Sequence, residues 1–201
     1  MGDIMKYSAG LMSKSFWFFE TKKVAECILE GLSKQEIMDL ALNENIFQVS
    51  SERRAKRMTG ELYRRLKDMP EEVLESFLKT DINSARVFVL MTILKTDIFF
   101  FDFMHEVFRE HIIKRDYLLK SRDFDLFFED KKLESEIVEK WTDGTVRRLK
   151  STMKLMLSEA RVYDVENEEK NIFVPIIDYR FKSILLKNDL GPYLYVITGE
   201  K

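Results

Sequence analysis

The stretch Ser51-Glu-Arg-Arg-Ala-Lys-Arg-Met-Thr-Gly-Glu-Leu-Tyr-Arg-Arg-Leu-Lys67 sets the reading of the whole chain. Its apolar positions, Ala55, Met58, Leu62 and Leu66, recur every three or four residues, the spacing of one buried face of an α-helix. Seven residues are basic (Arg53, Arg54, Lys56, Arg57, Arg64, Arg65 and Lys67) and two are acidic (Glu52 and Glu61), so the segment carries +5 in a chain of net charge −2. Ser50 and Ser51 stand where an N-cap belongs. Met69-Pro70 closes the segment, because a proline disfavours helical backbone in the residue before it. The spacing predicts a helix over Glu52–Lys67 with one buried stripe and a cationic surface.

The same grammar extends in both directions. Upstream, Ser15–Leu32 reads as a helix with Phe16, Phe19, Val24, Ile28 and Leu32 inward and Gly31 near its end. Ser33-Lys34-Gln35-Glu36 is a capping box that heads a second helix, to about Leu42. Ile46, Phe47 and Val49 plug the following loop into the core, and residues 1–10 read as a loosely held arm. Downstream, Pro70 opens Glu71–Leu78, and Asn83 or Ser84 caps a long apolar helix to Leu94. Another runs from Thr96 or Asp97 to Arg115, and its Phe99, Phe100, Phe101, Phe103 and Phe108 read as core rather than as a ligand box. Short helices follow at Asp123–Phe128 and Lys132–Lys140. With only 7 Gly and 3 Pro among 201 residues, little in the chain interrupts a helix.

A second basic helix, Thr145–Arg161, follows the turn Trp141–Gly144. Thr142 and Thr145 lead it, Arg147, Arg148, Lys150 and Lys154 decorate it, and Val146, Leu149, Met153, Met156 and Leu157 face inward. The period then changes: Val162–Val165, a polar turn Glu166–Lys170 and Ile172–Val174 read as a β-hairpin. Helix, turn, basic helix and hairpin is the order of a winged helix. Glu166, Glu168 and Glu169 would repel phosphate, so a wing for protein contact or for covering the core stands beside one for DNA. Asp178–Lys187 reads as a last helix and Tyr193–Ile197 as a terminal strand or tail. The fold class expected is mainly α: a compact multi-helix globule with two helix-turn-helix-like units, divided into 1–118 and 119–201.

Residues suited to catalysis are sparse. His105 and His111 lie six apart, off a shared helical face and outside any zinc-ligand spacing. Cys27 is the single cysteine and sits at helical spacing with Val24 and Ile28, as a small buried apolar residue would. No glycine-rich phosphate loop or nucleophile elbow occurs. The carboxylates Asp123, Asp125, Glu129 and Asp130 are loosely spaced and followed by lysines. We expect no enzyme, no catalytic residue, no metal, no cofactor and no small-molecule substrate. No apolar run reaches the roughly 18 residues of a membrane span, and Met1–Lys14 lacks the apolar core of a signal peptide, so a cytoplasmic location is expected.

What remains is the distribution of positive charge. Open N–H groups and hydroxyls at a helix start can hold a phosphate, and arginine can read guanine in the major groove. The candidate DNA contacts are Ser50, Ser51, Arg53, Arg54, Lys56, Arg57, Arg64 and Arg65 on the first basic helix, and Thr142, Thr145, Arg147, Arg148, Lys150 and Lys154 on the second. A solvated basic face that only aids solubility fits the charge pattern equally well. No aromatic residues alternate with the basic ones, which ranks single-stranded binding lower.

Several of these residues also carry a likeness to a family. Tyr7-Ser8-Ala9-Gly10-Leu11 with Ser13, Ser15 and Phe16, then Val24-Ala25-Glu26, Leu29-Glu30-Gly31-Leu32-Ser33, Glu36-Ile37, Asn45–Ser51 and Arg53, Arg54, Ala55 and Arg57, are similar to the BrxA family of bacteriophage exclusion (BREX) systems. The likeness is dense over Tyr7–Leu66 and returns as a Trp-x-x-x-Thr-x-x-x-Leu pattern from Trp141. It implies an all-helical or nearly all-helical protein with two helix-turn-helix motifs that binds DNA, and with the two basic helices we expect double-stranded DNA as the partner. It also implies work beside a methyltransferase, an ATPase and a phosphatase-like protein in phage defence. Likeness of that family to the antitermination factor NusB would imply RNA instead, and an adaptor that docks other BREX components on its basic helices is a further alternative.

Overall fold

Helix follows helix along nearly the whole chain, as a sequence poor in glycine and proline allows. The computed structural model describes residues 6–200 apart from 165 and 168. A 3-10 turn (Ala9–Ser13) precedes α1 (Phe18–Leu29), α2 (Lys34–Asn43), α3 (Glu52–Leu66), α4 (Glu71–Lys79) and α5 (Ile82–Thr96). Next, α6 (Ile98–Phe103), a π-helical turn (Met104–Phe108) and α7 (Arg109–Lys114) run on without a break. The rest of the chain forms α8 (Ser121–Glu134), α9 (Glu136–Glu139), α10 (Asp143–Glu159), α11 (Tyr179–Lys187) and α12 (Gly191–Thr198).

The caps explain most boundaries. In the capping box before α2, the Ser33 hydroxyl accepts from the Glu36 N–H (3.3 Å) and the Glu36 carboxylate from the Ser33 N–H (2.7 Å). Asp97 caps α6 through the Phe100 N–H, Thr142 caps α10 through the Thr145 N–H, and Asp178 caps α11. Gly31 ends α1 in the left-handed region at φ +81°.

α5 is the hub. It is buried almost all round and packs against α1, α3, α4, α6, α10 and α12. The phenylalanine run is core, as expected: Phe99, Phe100, Phe103 and Phe108 are buried. Phe103 stacks on Phe124 with centroids 4.5 Å apart, and Phe99 meets Trp141 edge-on at 4.8 Å. Burial of each such ring contributes about 1.5–3 kcal/mol. Contacts also cross residue 118 widely: α10 packs on the 3-10 turn, α11 on α4, and α12 on α5 and α7.

Several local expectations are corrected. The first helix begins at Phe18 rather than Ser15, because Trp17 takes a left-handed conformation (φ 54°), and Phe19 is 73% exposed while Phe18 is buried. Residues 1–5 of the expected arm lie outside the described residues. From Tyr7 onward the chain is held: the Tyr7 hydroxyl donates to Asp102 (2.6 Å), and Leu11 is fully buried. Asp81, not Asn83 or Ser84, caps α5. α8 reaches Glu134, so the break expected before Lys132 falls at Ser135.

The hairpin does not form a ladder. Its Val165 and Glu168 lie outside the described residues, and a single antiparallel bridge joins Tyr163 to Ile172. The backbone N–H groups of Asn171 and Ile172 both donate to the Tyr117 carbonyl (2.9 and 3.0 Å), which draws that arm toward the α7–α8 linker. The tail read as a strand at Tyr193–Ile197 is α12, ended by Gly199 at φ +75°. Among the described residues no helix is long and apolar enough to cross a membrane.

Candidate nucleic-acid interface

α3 forms where its apolar spacing predicts. Ala55, Met58, Leu62 and Leu66 are buried, and α2 and α1 pack on that side. At its start, Ser51 occupies the N-cap position but its hydroxyl makes no capping bond. The N–H groups of the first turn therefore have no intrahelical partner. Ser50, Ser51, Arg53, Arg54, Lys56 and Arg57 are all exposed around that end. Lys56 has an ion-pair partner, Glu52, at 3.6 Å. No salt bridge or side-chain hydrogen bond is found for Arg53, Arg54 or Arg57 among the described residues.

The other end of α3 behaves differently. Arg65 is 0% exposed and is no candidate for contact with a partner. Its guanidinium donates to Glu61 (3.1 Å) and to the carbonyls of Phe16 (3.3 Å) and Ser15 (3.2 Å), and it lies over the Trp17 ring. Arg64 stays exposed but is tethered, bidentate to Glu61 and bonded to the Thr96 carbonyl (3.2 Å). Glu61 also receives Lys14 at 3.4 Å. Burial alone would raise the Glu61 carboxyl; the Arg64 hydrogen bond and the charges of Arg65 and Lys14 hold it below the usual range. Burial pushes Lys14 below the ordinary lysine range, against the pull of Glu61. Beside this cluster lies a groove of about 310 Å³, lined by Lys6, Ser8, Lys14, Arg64, Thr96 and Ile98 together with the carboxylates Glu61 and Asp97.

α10 repeats the division. Thr142 is its N-cap and Thr145 lies 3.1 Å from it, hydroxyl to hydroxyl, so both threonines serve the helix start. Arg147 and Arg148 are exposed, with no ion-pair partner among the described residues. Lys150 pairs with Asp125 of α8 and lies over the Phe128 ring. Lys154 donates to the Ser121 hydroxyl (3.2 Å) and lies over Phe124. Lys170, read as near the tip of a wing, lies over the Tyr117 ring.

The histidines sit elsewhere. His105 stacks on Phe101. His111 lies between Asp116 and Asp123, with Nδ1 2.9 Å from the Asp116 carbonyl and Nε2 3.6 Å from the Asp123 carboxylate. That groove between α7 and α8 also holds Glu106, Glu110 and Asp130, which makes it strongly acidic. Among the described residues no group of three or more His, Cys, Asp and Glu is placed to hold a metal ion. Lys6 and Lys14 joined the cationic surface without warning from the sequence, because their neighbours, Arg64 and Thr96, are far away along the chain.

The comparisons place the chain. The BrxA family model matches residues 5–189. A BREX protein BrxA from Bacillus cereus (strain H3081.97) is 32% identical over 194 residues, covering 96% of this chain and 97% of that protein. The crystal structure of an uncharacterized protein from Magnetospirillum magneticum superposes with a TM-score of 0.80 over 98% of this chain and all of that one; at 21% identity it speaks to the fold alone. A match of this extent to family and relative means that the chain belongs to the BrxA family.

Proposed function

We propose that this BREX component is a non-catalytic, double-stranded DNA-binding accessory protein whose main contact is the N-terminal half of α3. One observation carries the reading: Arg53 and Arg54 in the open first turn of a helix, and Arg57 just beyond it, stand exposed with no ion-pair partner among the described residues. Cations there have the wrong sign for the helix macrodipole, a disadvantage of about 0.3–1 kcal/mol each at low salt. The fold gains nothing from them, whereas a polyanion would meet three guanidinium groups and free backbone N–H donors together. In this reading α2 and α3 form a variant helix-turn-helix with a long connection, and α10 supplies a second contact through Arg147 and Arg148. The division at residue 118 assigns one contact to each half of the chain.

Fluorescence anisotropy with a labelled 20-base-pair duplex of arbitrary sequence tests this. Wild-type binding should weaken steeply with salt, by close to one power of concentration per phosphate contact. Changing Arg53, Arg54 and Arg57 together to Glu should lower affinity at least about 100-fold near 0.1 M salt. That variant should remain folded, since the new charges suit the helix start. Undiminished binding would sink the assignment.

A second reading, a protein adaptor, is favoured by one specific feature. On α8 and α9, Leu126, Leu133 and Ile137 are exposed, Leu133 at 89%, among Glu129, Asp130, Glu134, Glu136 and Glu139. An apolar stripe rimmed by acids suits a basic protein surface and repels DNA. Absence of duplex binding even at low salt, with co-purification of another BREX component lost on Leu133→Ser, would favour the adaptor.

A further inference from the structure

Gly60 stands in the middle of α3, where a glycine costs about 0.5–1 kcal/mol relative to alanine. Three internal reasons could justify it, and none applies. Its backbone is not in the left-handed region; the glycines that are, Gly31 and Gly199, both end helices. No neighbour crowds it either, because a Cβ built at Gly60 meets nothing within 4 Å. At Gly199, by contrast, a Cβ would strike the Ile112 side chain. Nor is Gly60 a cap, since α3 continues to Leu66. The remaining use of a glycine, close approach of another backbone or ligand to the main chain, has no occupant among the described residues.

Its position says what lies outside. Gly60 is three residues after Arg57 and four before Arg64, and Arg53 falls on the same stripe, opposite the buried Ala55, Met58, Leu62 and Leu66. The missing side chain leaves a low saddle in an otherwise cationic ridge. Beyond Arg64 the surface falls into a groove where Glu61 and Asp97 offset Lys6 and Lys14, so the cationic part of the ridge ends there. A chain of phosphates could follow this path with its closest contact at the saddle.

We infer that Gly60 is the point where the phosphodiester backbone of bound DNA touches the main chain of α3, at the end of a path that begins on Arg53 and Arg57. The inference rests on the DNA-binding reading and adds a docking geometry to it. α3 meets the DNA backbone along its Arg53–Gly60 flank, with its open first turn at one end of that contact. A side-on helix presents few side chains to base edges, so α3 governs affinity more than sequence choice.

The test uses Gly60→Ala and Gly60→Leu in the full chain, with thermal unfolding and duplex anisotropy measured on the same samples. Both variants should melt higher than wild type, Gly60→Ala by about 2–4 °C. Both should bind the duplex more weakly, Gly60→Ala by about five- to tenfold and Gly60→Leu by more, at an unchanged salt slope because neither substitution removes a charge. Undiminished binding by the stabilised variants overturns the inference. If the Arg53, Arg54 and Arg57 reversal still abolishes binding in that case, the DNA reading survives and only the saddle contact fails. A lower melting temperature for Gly60→Ala also overturns the inference, because it would reveal an internal role for the glycine. Loss of all duplex binding by the wild-type chain overturns both.

Discussion

α3 and α10 look alike as basic helices, and the fold treats each of them in two ways along its length. At the N-terminal part, Arg53, Arg54 and Arg57 on α3 and Arg147 and Arg148 on α10 are exposed, with no ion-pair partner among the described residues. Toward the C-terminal part, Arg64 and Arg65 are consumed by Glu61 and backbone carbonyls, while Lys150 and Lys154 are consumed by α8. The two helices differ in how deep that second use goes. Arg65 is fully buried and ties α3 to the carbonyls of Ser15 and Phe16 before α1, whereas the α10 lysines make surface bonds over aromatic edges. A count of positive charges therefore overstates what is available to a partner, and more so for α3. Charge at a helix's surface is a candidate contact; charge at its packed flank is part of the architecture.

The sharpest break of this comparison is at Glu61. Glu61→Ala leaves Arg65 buried beside Phe16 without its carboxylate and frees Lys14, so stability to urea should fall by about 3–5 kcal/mol. The same carboxylate gives a pH signature. Its folded pKa is below that of the unfolded chain, so its contribution is complete above the unfolded value of about 4.3 and is lost as pH falls through the folded one. Wild-type stability should therefore drop in that acid window, and Glu61→Ala should flatten that part of the profile. An unchanged profile would mean that the cluster does not stabilise the fold through ionised Glu61.

A middle-sized effect is expected from Arg147→Glu with Arg148→Glu. Duplex affinity should fall about tenfold or more, with unfolding free energy within about 0.5 kcal/mol of wild type. If affinity holds, α3 binds DNA alone and the likeness of the two helices ends at composition. The smallest effect should come from Lys150→Ala. Loss of its Asp125 pair should lower stability by about 0.2–1 kcal/mol and leave duplex affinity unchanged. A clear loss of affinity would return Lys150 to the contact surface.

How much was legible beforehand varied with the range of the interaction. The capping box at Ser33 and Glu36, the buried stripe of α3 and the core role of Phe99, Phe100 and Phe103 were all readable, because each depends on residues within one or two turns. Phe19, expected inward, is exposed because the left-handed Trp17 resets the helical phase, and no local pattern announces that residue. The expected hairpin is reduced, among the described residues, to the Tyr163–Ile172 bridge, and the Asn171 N–H that could return a bond to Asp164 goes to the distant Tyr117 carbonyl. The α8–α9 break moved for a reason we do not identify.

At the candidate site, the sequence alone determined which segments carry positive charge, where α3 begins, and which of their faces is apolar; α10 begins at Asp143, two residues before the expected Thr145. Those are consequences of periodicity and capping, which act over a few residues. Only the tertiary structure decided which of the charges are free. Arg65 went inside because α3 must be joined to the main-chain carbonyls before α1, and Glu61 with Lys14 completes that junction. Lys150 and Lys154 were taken by the neighbouring helix, while Lys6 and Lys14 were brought to the groove. Gly60 belongs to both accounts: its flexibility is written in the sequence, and the open space around it is known only from the fold. The physical reason is that a charge is assigned by whichever counter-charge or carbonyl lies within about 4 Å, and those partners come from distant parts of the chain.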